Sequence, residues 1–211
     1  MASPKTLPRG SRPGPPRLRF ARAEAADAPT VAALLAEAAR DLTARYGPGP
    51  WSRSPSERGV LAVMRGGAEV WCAYHGRRLA ATWTLGRRKP WAIDLRYFSP
   101  EPRRPCYLTE MAVAPALQGR GVGGRCLERA LAVAQAGGAD AARLDAYAGA
   151  GGAGGFYARC GFREVGRASY RDTPHVYFER LLPAAPRRGA GGVAAQADSE
   201  SRRPLSQSPR R

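Results

Sequence analysis

The first two segments of the chain differ in the spacing of their apolar residues. Residues 17–24 (RLRFARAE) alternate between apolar and polar, which is typical of a β-strand. After this segment, apolar residues recur at helical spacing from Val31 to Leu42. Asp27 can cap this segment and Pro29 lies in its first turn, so the pattern predicts a helix that begins near Asp27.

A second helix is predicted after a loop rich in helix-breaking residues. This loop runs from Tyr46 to Trp51 and contains two Gly-Pro steps. Ser54 is followed by Pro55, and Glu57 comes three residues after Ser54. Because this order matches a capping box, we expect the second helix to start at Ser54.

Strand-like segments dominate the middle of the chain. Residues 69–75 (EVWCAYH) and 78–85 (RLAATWTL) predict a hairpin around Gly76. Residues 86–105, rich in Arg and Pro, predict an irregular loop, and 106–113 (CYLTEMAV) predict a further strand.

The last third of the chain alternates between helix and strand signals. The segment 118–131 (QGRGVGGRCLERAL) predicts a glycine-rich turn that leads into a helix. A strand at 142–147, a glycine-rich stretch with the segment 156–162 (FYARCGF), and strands at 162–170 and 175–182 follow. The order predicts an α/β domain with about four flanking helices and a mostly antiparallel sheet that contains one parallel crossover.

The positive charge of the protein is concentrated partly in its two ends. The chain of 211 residues has a formal net charge of +17, of which residues 1–17 and 184–211 contribute +4 each and the rest +9. Both ends are rich in Pro, Gly, Ser and Ala, so we expect disordered basic tails at 1–16 and 184–211 around a folded domain at 17–183. Such tails would bind polyanions weakly, although an arginine-rich composition also reflects coding bias.

Cysteine and histidine are sparse in this sequence. The four cysteines form no C-x-x-C pair, and the chain has only two histidines, so no metal site or disulfide framework is predicted. No apolar run approaches bilayer length, and the basic N-terminus has no signal-peptide core. We therefore expect a cytoplasmic protein without membrane association, as a monomer or homodimer.

The glycine-rich turn is the strongest candidate for chemistry. The backbone N–H groups at the start of a helix have no intrahelical partners and carry a partial positive charge, which suits an anion. Glycines permit positive φ and close approach of a ligand to the backbone. The turn has four of them, at Gly119, Gly121, Gly123 and Gly124, and also contains Gln118 and Arg120. These features predict a phosphate-binding loop.

Two other phosphate-binding motifs fit the turn less well. Gly119, Gly121 and Gly124 match the dinucleotide fingerprint literally, and Asp145 lies about twenty residues further on. However, residues 114–118 separate the strand from the turn, and too little chain follows Asp145 for the remaining βαβ units. A Walker loop is excluded because no Gly-Lys-Ser/Thr follows.

The stretch LTEMAVAPALQGRGVGGRCLERAL resembles the acetyl-CoA-binding core of the GNAT N-acetyltransferase superfamily. The signature Q/R-x-x-G-x-G/A is met by Gln118, Gly121 and Gly123, and FYARCGF resembles the second motif of the family. The element order agrees, so the resemblance covers residues 17–182. It implies the GNAT fold, with a splayed parallel pair of strands at the acetyl-CoA site.

The resemblance also implies roles for individual residues. The pyrophosphate of acetyl-CoA would be bound by the turn, and the pantetheine arm by the backbone of the preceding strand, which would also polarise the thioester carbonyl. No metal is needed. The implied cofactor-binding residues are Met111, Ala112, Val113, Gln118, Gly119, Arg120, Gly121, Val122, Gly123 and Gly124.

Attack by an amine on a thioester requires two proton transfers. By resemblance, Tyr157 is the general acid that protonates the departing thiolate. Glu110 and Asp145 are both candidates for the base or for acceptor binding, and the sequence leaves the choice open. One departure from the family is Ala150 in a glycine-rich stretch, where many members have an Asn that contacts the cofactor.

The sequence leaves the acceptor, and two other functions, open. By resemblance, the acceptor is a small-molecule or protein amine that lies against residues 40–54, where Tyr46 and Trp51 would either stack on it or fill the edge of the core. The alternatives are a non-catalytic acyl-CoA-binding domain, which the missing Asn favours, and a nucleic-acid-associated protein that uses its tails.

Overall fold

The computed structural model describes residues 16–183, so the two predicted tails lie outside the described residues apart from Pro16. The described chain folds into strands and helices in the predicted order. The strands are β1 (Arg19–Arg22), β2 (Glu69–His75), β3 (Arg78–Gly86), β4 (Pro105–Val113), β5 (Ala141–Tyr147), β6 (Arg163–Tyr170) and β7 (Thr173–Leu181). The helices are α1 (Ala28–Tyr46), α2 (Glu57–Arg65), α3 (Val122–Ala136) and α4 (Gly154–Arg159).

The seven strands form one sheet in the order β1-β2-β3-β4-β5-β7-β6. Every neighbouring pair is antiparallel except β4 and β5, which are parallel. This pair is joined only at its beginning, where 105–107 face 141–143, and the two strands then separate. The predicted mixed α/β fold with a splayed parallel pair is confirmed.

Helices and one long loop cover the two faces of the sheet. On one face, α3 and α4 pack over a core that includes Trp83, Leu127 and Phe178. On the other face, α1 and α2 cover β2 and β3. Beyond them, the loop between β3 and β4 inserts Ile93 and Phe98 against β4 and β7. Burial of each large apolar side chain contributes about 1.5–3 kcal/mol. No helix among residues 16–183 is long and apolar enough to cross a membrane.

A buried ion pair fixes the β3–β4 loop to the sheet. Nε of Arg143 on β5 donates to Oε1 of Glu179 on β7 over 2.9 Å, and both side chains are buried. The hydroxyl of Ser99 donates to the other oxygen of Glu179 over 2.5 Å, and the Ser99 carbonyl accepts from Arg143 over 2.6 Å. The loop is therefore attached to the sheet by a charged cluster in which most polar groups have hydrogen-bond partners.

The observed start of α2 differs from the predicted one, whereas the start of α1 at Asp27 is confirmed. The N-cap of α2 is Ser56 rather than Ser54, because Oγ of Ser56 accepts from the N–H of Gly59 over 3.3 Å. Asp27 does occupy the N-cap position of α1, but its carboxylate makes no capping bond. It accepts instead from the N–H of Glu24 over 2.9 Å and from the hydroxyl of Tyr74 over 3.3 Å, and so joins the helix start to β2.

Candidate functional site

A β-bulge marks the place where β4 turns away from β5. Thr109 pairs with Thr84 and Ala112 with Thr82, so Glu110 and Met111 together oppose one residue of β3. Glu110 has a φ of +50°, which is uncommon for a residue other than glycine. A bulge of this kind bends its strand and increases the twist. It accounts for the gap between β4 and β5.

The far end of β4 presents unpaired backbone groups to this gap. The N–H of Ala114 donates to the carbonyl of Ala80 on β3 over 2.9 Å. Because the backbone groups of successive strand residues point to opposite sides, those of Met111 and Val113 point away from β3 and into the gap. The carbonyl of Val113 accepts from Nε2 of Gln118 over 3.2 Å, which agrees with this direction.

The glycine-rich turn supplies further free amides at the same end of the gap. Gly119 and Gly121 have φ values of +70° and +78°, and Gly121 is the N-cap of α3. The N–H of Arg125 donates to the carbonyl of Gly121 over 3.3 Å, so Arg125 is the first donor within the helix and the amides of residues 122–124 have no acceptor within it. The turn therefore leaves a row of adjacent N–H groups free at the start of α3.

The remaining glycines of the turn leave space beside these amides. A Cβ on Gly124 would meet no atom within 4 Å, whereas one on Gly123 would lie 3.4 Å from the ring of Phe156 on α4. Gly123 thus permits the close approach of α3 to α4, and Gly124 keeps the start of the helix open. This cradle of amides fits the pyrophosphate of acetyl-CoA.

The turn, the end of β4 and α4 enclose a cleft of about 500 Å³. The structure brings together here most of the residues that the sequence assigned to acetyl-CoA and to proton transfer. Those that line the cleft are Met111, Ala112, Val113, Gln118, Gly119, Gly121, Gly123, Gly124 and Tyr157. Four predicted residues do not line it. The side chain of Val122 is buried in the core, Arg120 is exposed, Glu110 lines a separate groove, and Asp145 lies on β5.

Several residues around the cleft were not predicted as part of the site. Ala38 and Leu42 of α1 and Arg159 of α4 line it. Arg45, also on α1, donates from Nη2 to Oε1 of Gln118 over 3.1 Å and pairs with Asp41. The helical spacing of Ala38 and Leu42 indicated a buried face of α1. Such spacing does not distinguish residues that line a cleft from residues that fill a core.

Tyr157 lies at the inner wall of the cleft. Its ring packs edge-on against Phe156 and Phe162, with centroids 5.1 Å and 5.9 Å away, and its hydroxyl lies 4.0 Å from Sδ of Met111. Burial raises the pKa of the Tyr157 hydroxyl, and the negative charge of Asp145 raises it further. Tyr157 therefore keeps its proton at neutral pH.

Glu110 lies on the face of the sheet that α1 and α2 cover. Its carboxyl adjoins a small groove lined by Val31, Leu35 and Val60, among others. The side chain is accessible to solvent, yet the protein that surrounds it raises the pKa of the carboxyl, and the charge of Asp145 adds to this effect. The bulge thus presents a carboxyl group whose proton affinity is increased.

Asp145 has a partner that the sequence did not indicate. Its Oδ2 lies 2.7 Å from Nδ1 of His175, on the neighbouring strand β7. Only 20% of the Asp145 side chain and 13% of the His175 side chain are exposed. The two residues are 30 positions apart, and no motif links them, so only the pairing of β5 with β7 brings them together.

The aromatic residues of the α1–α2 loop pack against one another and against β5. Trp51 lies edge-on to Tyr147 with centroids 5.5 Å apart, and Tyr46 lies 6.3 Å from Trp51. A Cβ on Gly151 would approach the Tyr46 ring to 2.9 Å, so the glycine-rich stretch fits closely beneath them. Tyr46 is nevertheless 47% exposed and Trp51 is half-buried, so these contacts are compatible with both predicted roles.

The sequence of this chain is similar to that of a known protein family. The model of the acetyltransferase (GNAT) family matches residues 36–162. No curated protein sequence is similar enough to this chain to count as a relative.

Solved structures show the same fold at low sequence identity. The ribosomal-protein-S18-alanine N-acetyltransferase of Escherichia coli is 16% identical with a TM-score of 0.59, over 82% of this chain and 98% of its own. The yncA structure from Salmonella typhimurium, which contains its cofactor acetyl-CoA, is 15% identical with a TM-score of 0.55, over 79% and 94%. A GNAT acetyltransferase from Listeria monocytogenes is 17% identical with a TM-score of 0.61, over 78% and 95%.

Proposed function

Since the chain belongs to the acetyltransferase (GNAT) family, we propose that it transfers the acetyl group of acetyl-CoA to the primary amine of an acceptor. One observation carries this proposal: the free amides of the turn, the unpaired end of β4 and the hydroxyl of Tyr157 meet in a single cleft of about 500 Å³. The turn would hold a phosphate, the end of β4 would supply backbone hydrogen-bond donors, and Tyr157 would supply a proton.

The residues of the cleft divide the binding of acetyl-CoA between them. Amides within 119–124 would hold the pyrophosphate, and the backbone groups of Met111 and the N–H of Val113 would pair with the pantetheine arm. The carbonyl of Val113 already accepts from Gln118. When bound, acetyl-CoA supplies an activated thioester. An N–H from this edge of β4 would then donate to the acyl oxygen, where negative charge develops during attack.

Tyr157 is suited to the role of general acid. Its raised pKa keeps the hydroxyl protonated at neutral pH, and its one described partner is a weak sulfur acceptor. The proton is therefore available for a stronger acceptor in the cleft. We assign it to the leaving thiolate, whose departure is assisted by protonation.

Glu110 and Asp145 would prepare the acceptor. Both carry negative charge, and the effect of Asp145 on the pKa of Glu110 indicates that they lie within electrostatic range of each other. Together they would attract an ammonium group. The raised pKa of Glu110 brings it closer to neutral pH, where a group that accepts and releases protons is most effective.

The acceptor is proposed only as a class, a primary amine on a small molecule or a polypeptide. The similar fold of an enzyme named for the alanine of a ribosomal protein makes peptides with a free N-terminal alanine suitable first candidates. Amino acids, polyamines and aminoglycosides complete a first panel. Release of CoA should be followed by chromatography rather than by a thiol reagent, because the chain has four free cysteines.

The first test is calorimetric titration of the full chain with acetyl-CoA and, separately, with NADH at moderate salt. Saturable binding of acetyl-CoA without binding of NADH is expected. Binding of neither, or of both only at low salt, would mean that the turn is structural and that the charge of the protein attracts any polyanion. Binding of acetyl-CoA without turnover on any acceptor would favour a non-catalytic acyl-CoA-binding domain.

A further inference from the structure

His175 and Asp145 form a hydrogen-bonded pair across the part of β5 that has separated from β4. Nδ1 of the imidazole lies 2.7 Å from Oδ2 of the carboxylate. We propose that His175, held by Asp145, is the base that takes the proton from the acceptor amine. This inference rests on the proposed function and identifies the proton acceptor that the choice between Glu110 and Asp145 leaves open.

The hydrogen bond determines which ring nitrogen is free. An ionised carboxylate only accepts hydrogen bonds, so a neutral His175 must place its proton on Nδ1. Nε2 then carries the lone pair and is the basic atom. Asp145 is a positioning residue: it holds the ring in one orientation and stabilises the imidazolium that forms when Nε2 takes a proton.

The sheet places this pair on the side of the β4–β5 gap opposite the bulged end of β4. Asp145 pairs with Tyr177 and Tyr147 pairs with His175, so both members of the dyad lie on the same face across the β5–β7 ladder. Asp145 lies on the part of β5 beyond 141–143, where β5 no longer pairs with β4. The negative charge of Asp145 influences both the bulge carboxyl of Glu110 and the hydroxyl of Tyr157. The dyad therefore lies within electrostatic range of both.

The proton balance of the reaction is complete with these groups. The nitrogen lone pair of the acceptor forms the new C–N bond, the C–S bond breaks, and its electron pair leaves on sulfur. The acceptor ammonium first loses one proton to Nε2 of His175, which passes it to water, and the nitrogen lone pair becomes available for attack. During the transfer a second proton passes from the acceptor nitrogen to Nε2, and one passes from the Tyr157 hydroxyl to sulfur. Exchange with water then returns His175 and Tyr157 to their starting states.

The surroundings favour His175 over Glu110 as the base. Glu110 stands alone at the bulge, without a hydrogen-bond partner for its carboxylate among the described residues. His175 is held in one orientation by a carboxylate, and its Nε2 has no hydrogen-bond partner among the described residues. Glu110 keeps the role of attracting the acceptor ammonium.

The kinetic test uses two variants of His175 and one of the other histidine. In His175→Asn, a side-chain amide can still donate to Asp145 but has no basic nitrogen, whereas His175→Ala leaves space for a small base. Both should lower kcat about 100-fold and leave the calorimetric affinity for acetyl-CoA unchanged. Added imidazole should raise the kcat of His175→Ala about tenfold and leave His175→Asn unaffected. His75→Asn is the control, because His75 is exposed and contacts only the carbonyl of Arg17.

A second measurement needs no acceptor and no acetyl-CoA. The chain has two histidines, so the imidazole nitrogens are resolved in a ¹⁵N–¹H NMR spectrum, and His75→Asn assigns them. We expect the proton of neutral His175 on Nδ1 in the wild type and a mixture of both tautomers in Asp145→Asn.

The outcomes separate this inference from the proposed function. A proton on Nε2 in the wild type, a kcat of His175→Asn within threefold of wild type, or a loss that imidazole does not relieve would each overturn the assignment of His175. Wild-type protein that turns over no acceptor, with the proton on Nδ1, would instead overturn the proposed function while the pair stays as described.

Discussion

The hydroxyl of Tyr157 lies 4.0 Å from Sδ of Met111, and this contact joins α4 to the bulged end of β4. A thioether is a weak acceptor, so the hydroxyl is held in place without losing its capacity to donate. Tyr157, which we propose as the general acid, therefore contacts the side chain of a β4 residue whose backbone groups face the same cleft. Changes on either side should affect catalysis more than stability.

The variant Tyr157→Phe tests this relationship. It removes the hydroxyl but keeps the ring that packs on Phe156 and Phe162, so the fold should be retained. We expect kcat to fall about 10²- to 10³-fold, while the calorimetric Kd for acetyl-CoA changes by less than about twofold. Equal losses in kcat and in acetyl-CoA affinity would show that the hydroxyl binds the ligand instead.

Gly121→Ala tests the phosphate cradle. Gly121 has a φ of +78°, and an L side chain in the left-handed region costs about 1–2 kcal/mol, so the start of α3 should rearrange. Gly76→Ala is a matched control, because Gly76 also has a positive φ, lies in the β2–β3 hairpin, and has open space where an added Cβ would point. Both should lower the free energy of unfolding in urea by similar amounts, but only Gly121→Ala should weaken acetyl-CoA binding, by at least about tenfold. Equal affinities in the two variants would contradict a role for the turn.

Glu110→Gln tests the environment of the bulge carboxyl through pH. In the unfolded chain, Glu110 loses its proton at its ordinary pKa, about 4.3, whereas in the folded protein it loses the proton at a higher pH. The folded state binds more protons in this window, so the contribution of Glu110 to the free energy of unfolding decreases as pH rises through it. Glu110→Gln should therefore gain stability relative to wild type between pH 4 and pH 7, as measured by urea unfolding.

The control for this pH experiment has the opposite sign. Arg167 lowers the pKa of Glu164 through a hydrogen-bonded ion pair on the surface. Ionised Glu164 stabilises the folded state above its ordinary pKa, so Glu164→Gln should lose stability relative to wild type between pH 4 and pH 7. If both variants changed in the same direction, the protein surroundings of the Glu110 carboxyl would not be the cause.

Glu179→Ala tests the attachment of the β3–β4 loop. It leaves the guanidinium of Arg143 buried without its charged partner, so the free energy of unfolding should fall by about 3–5 kcal/mol. Arg163 approaches the same carboxylate at 3.6 Å, but 69% of its side chain is exposed, so Arg163→Ala should cost at most about 1 kcal/mol. Urea unfolding measures both, and similar costs would show that Glu179 acts only as a surface group.

The order of elements and the glycine-rich turn were predictable from the sequence, because both depend on local rules. Strand alternation, helical spacing and glycine content act over a few neighbouring residues, and they located the hairpin, α3 and the turn at 119–124 correctly. The start of α2 was placed two residues early, because Ser54 and Ser56 have the same capping chemistry and only the backbone conformation selects Ser56.

What only the tertiary structure decided are the relationships between distant segments. The pairing of Asp145 with His175 follows from the register of β5 against β7, and Arg143 meets Glu179 through the same ladder. The approach of Arg45 to Gln118 depends on how α1 packs over β4. A sequence specifies which residues can donate, accept or carry charge. Which of them meet is decided by the packing of the whole sheet, since residues far apart in the chain become neighbours only when the strands between them are in place.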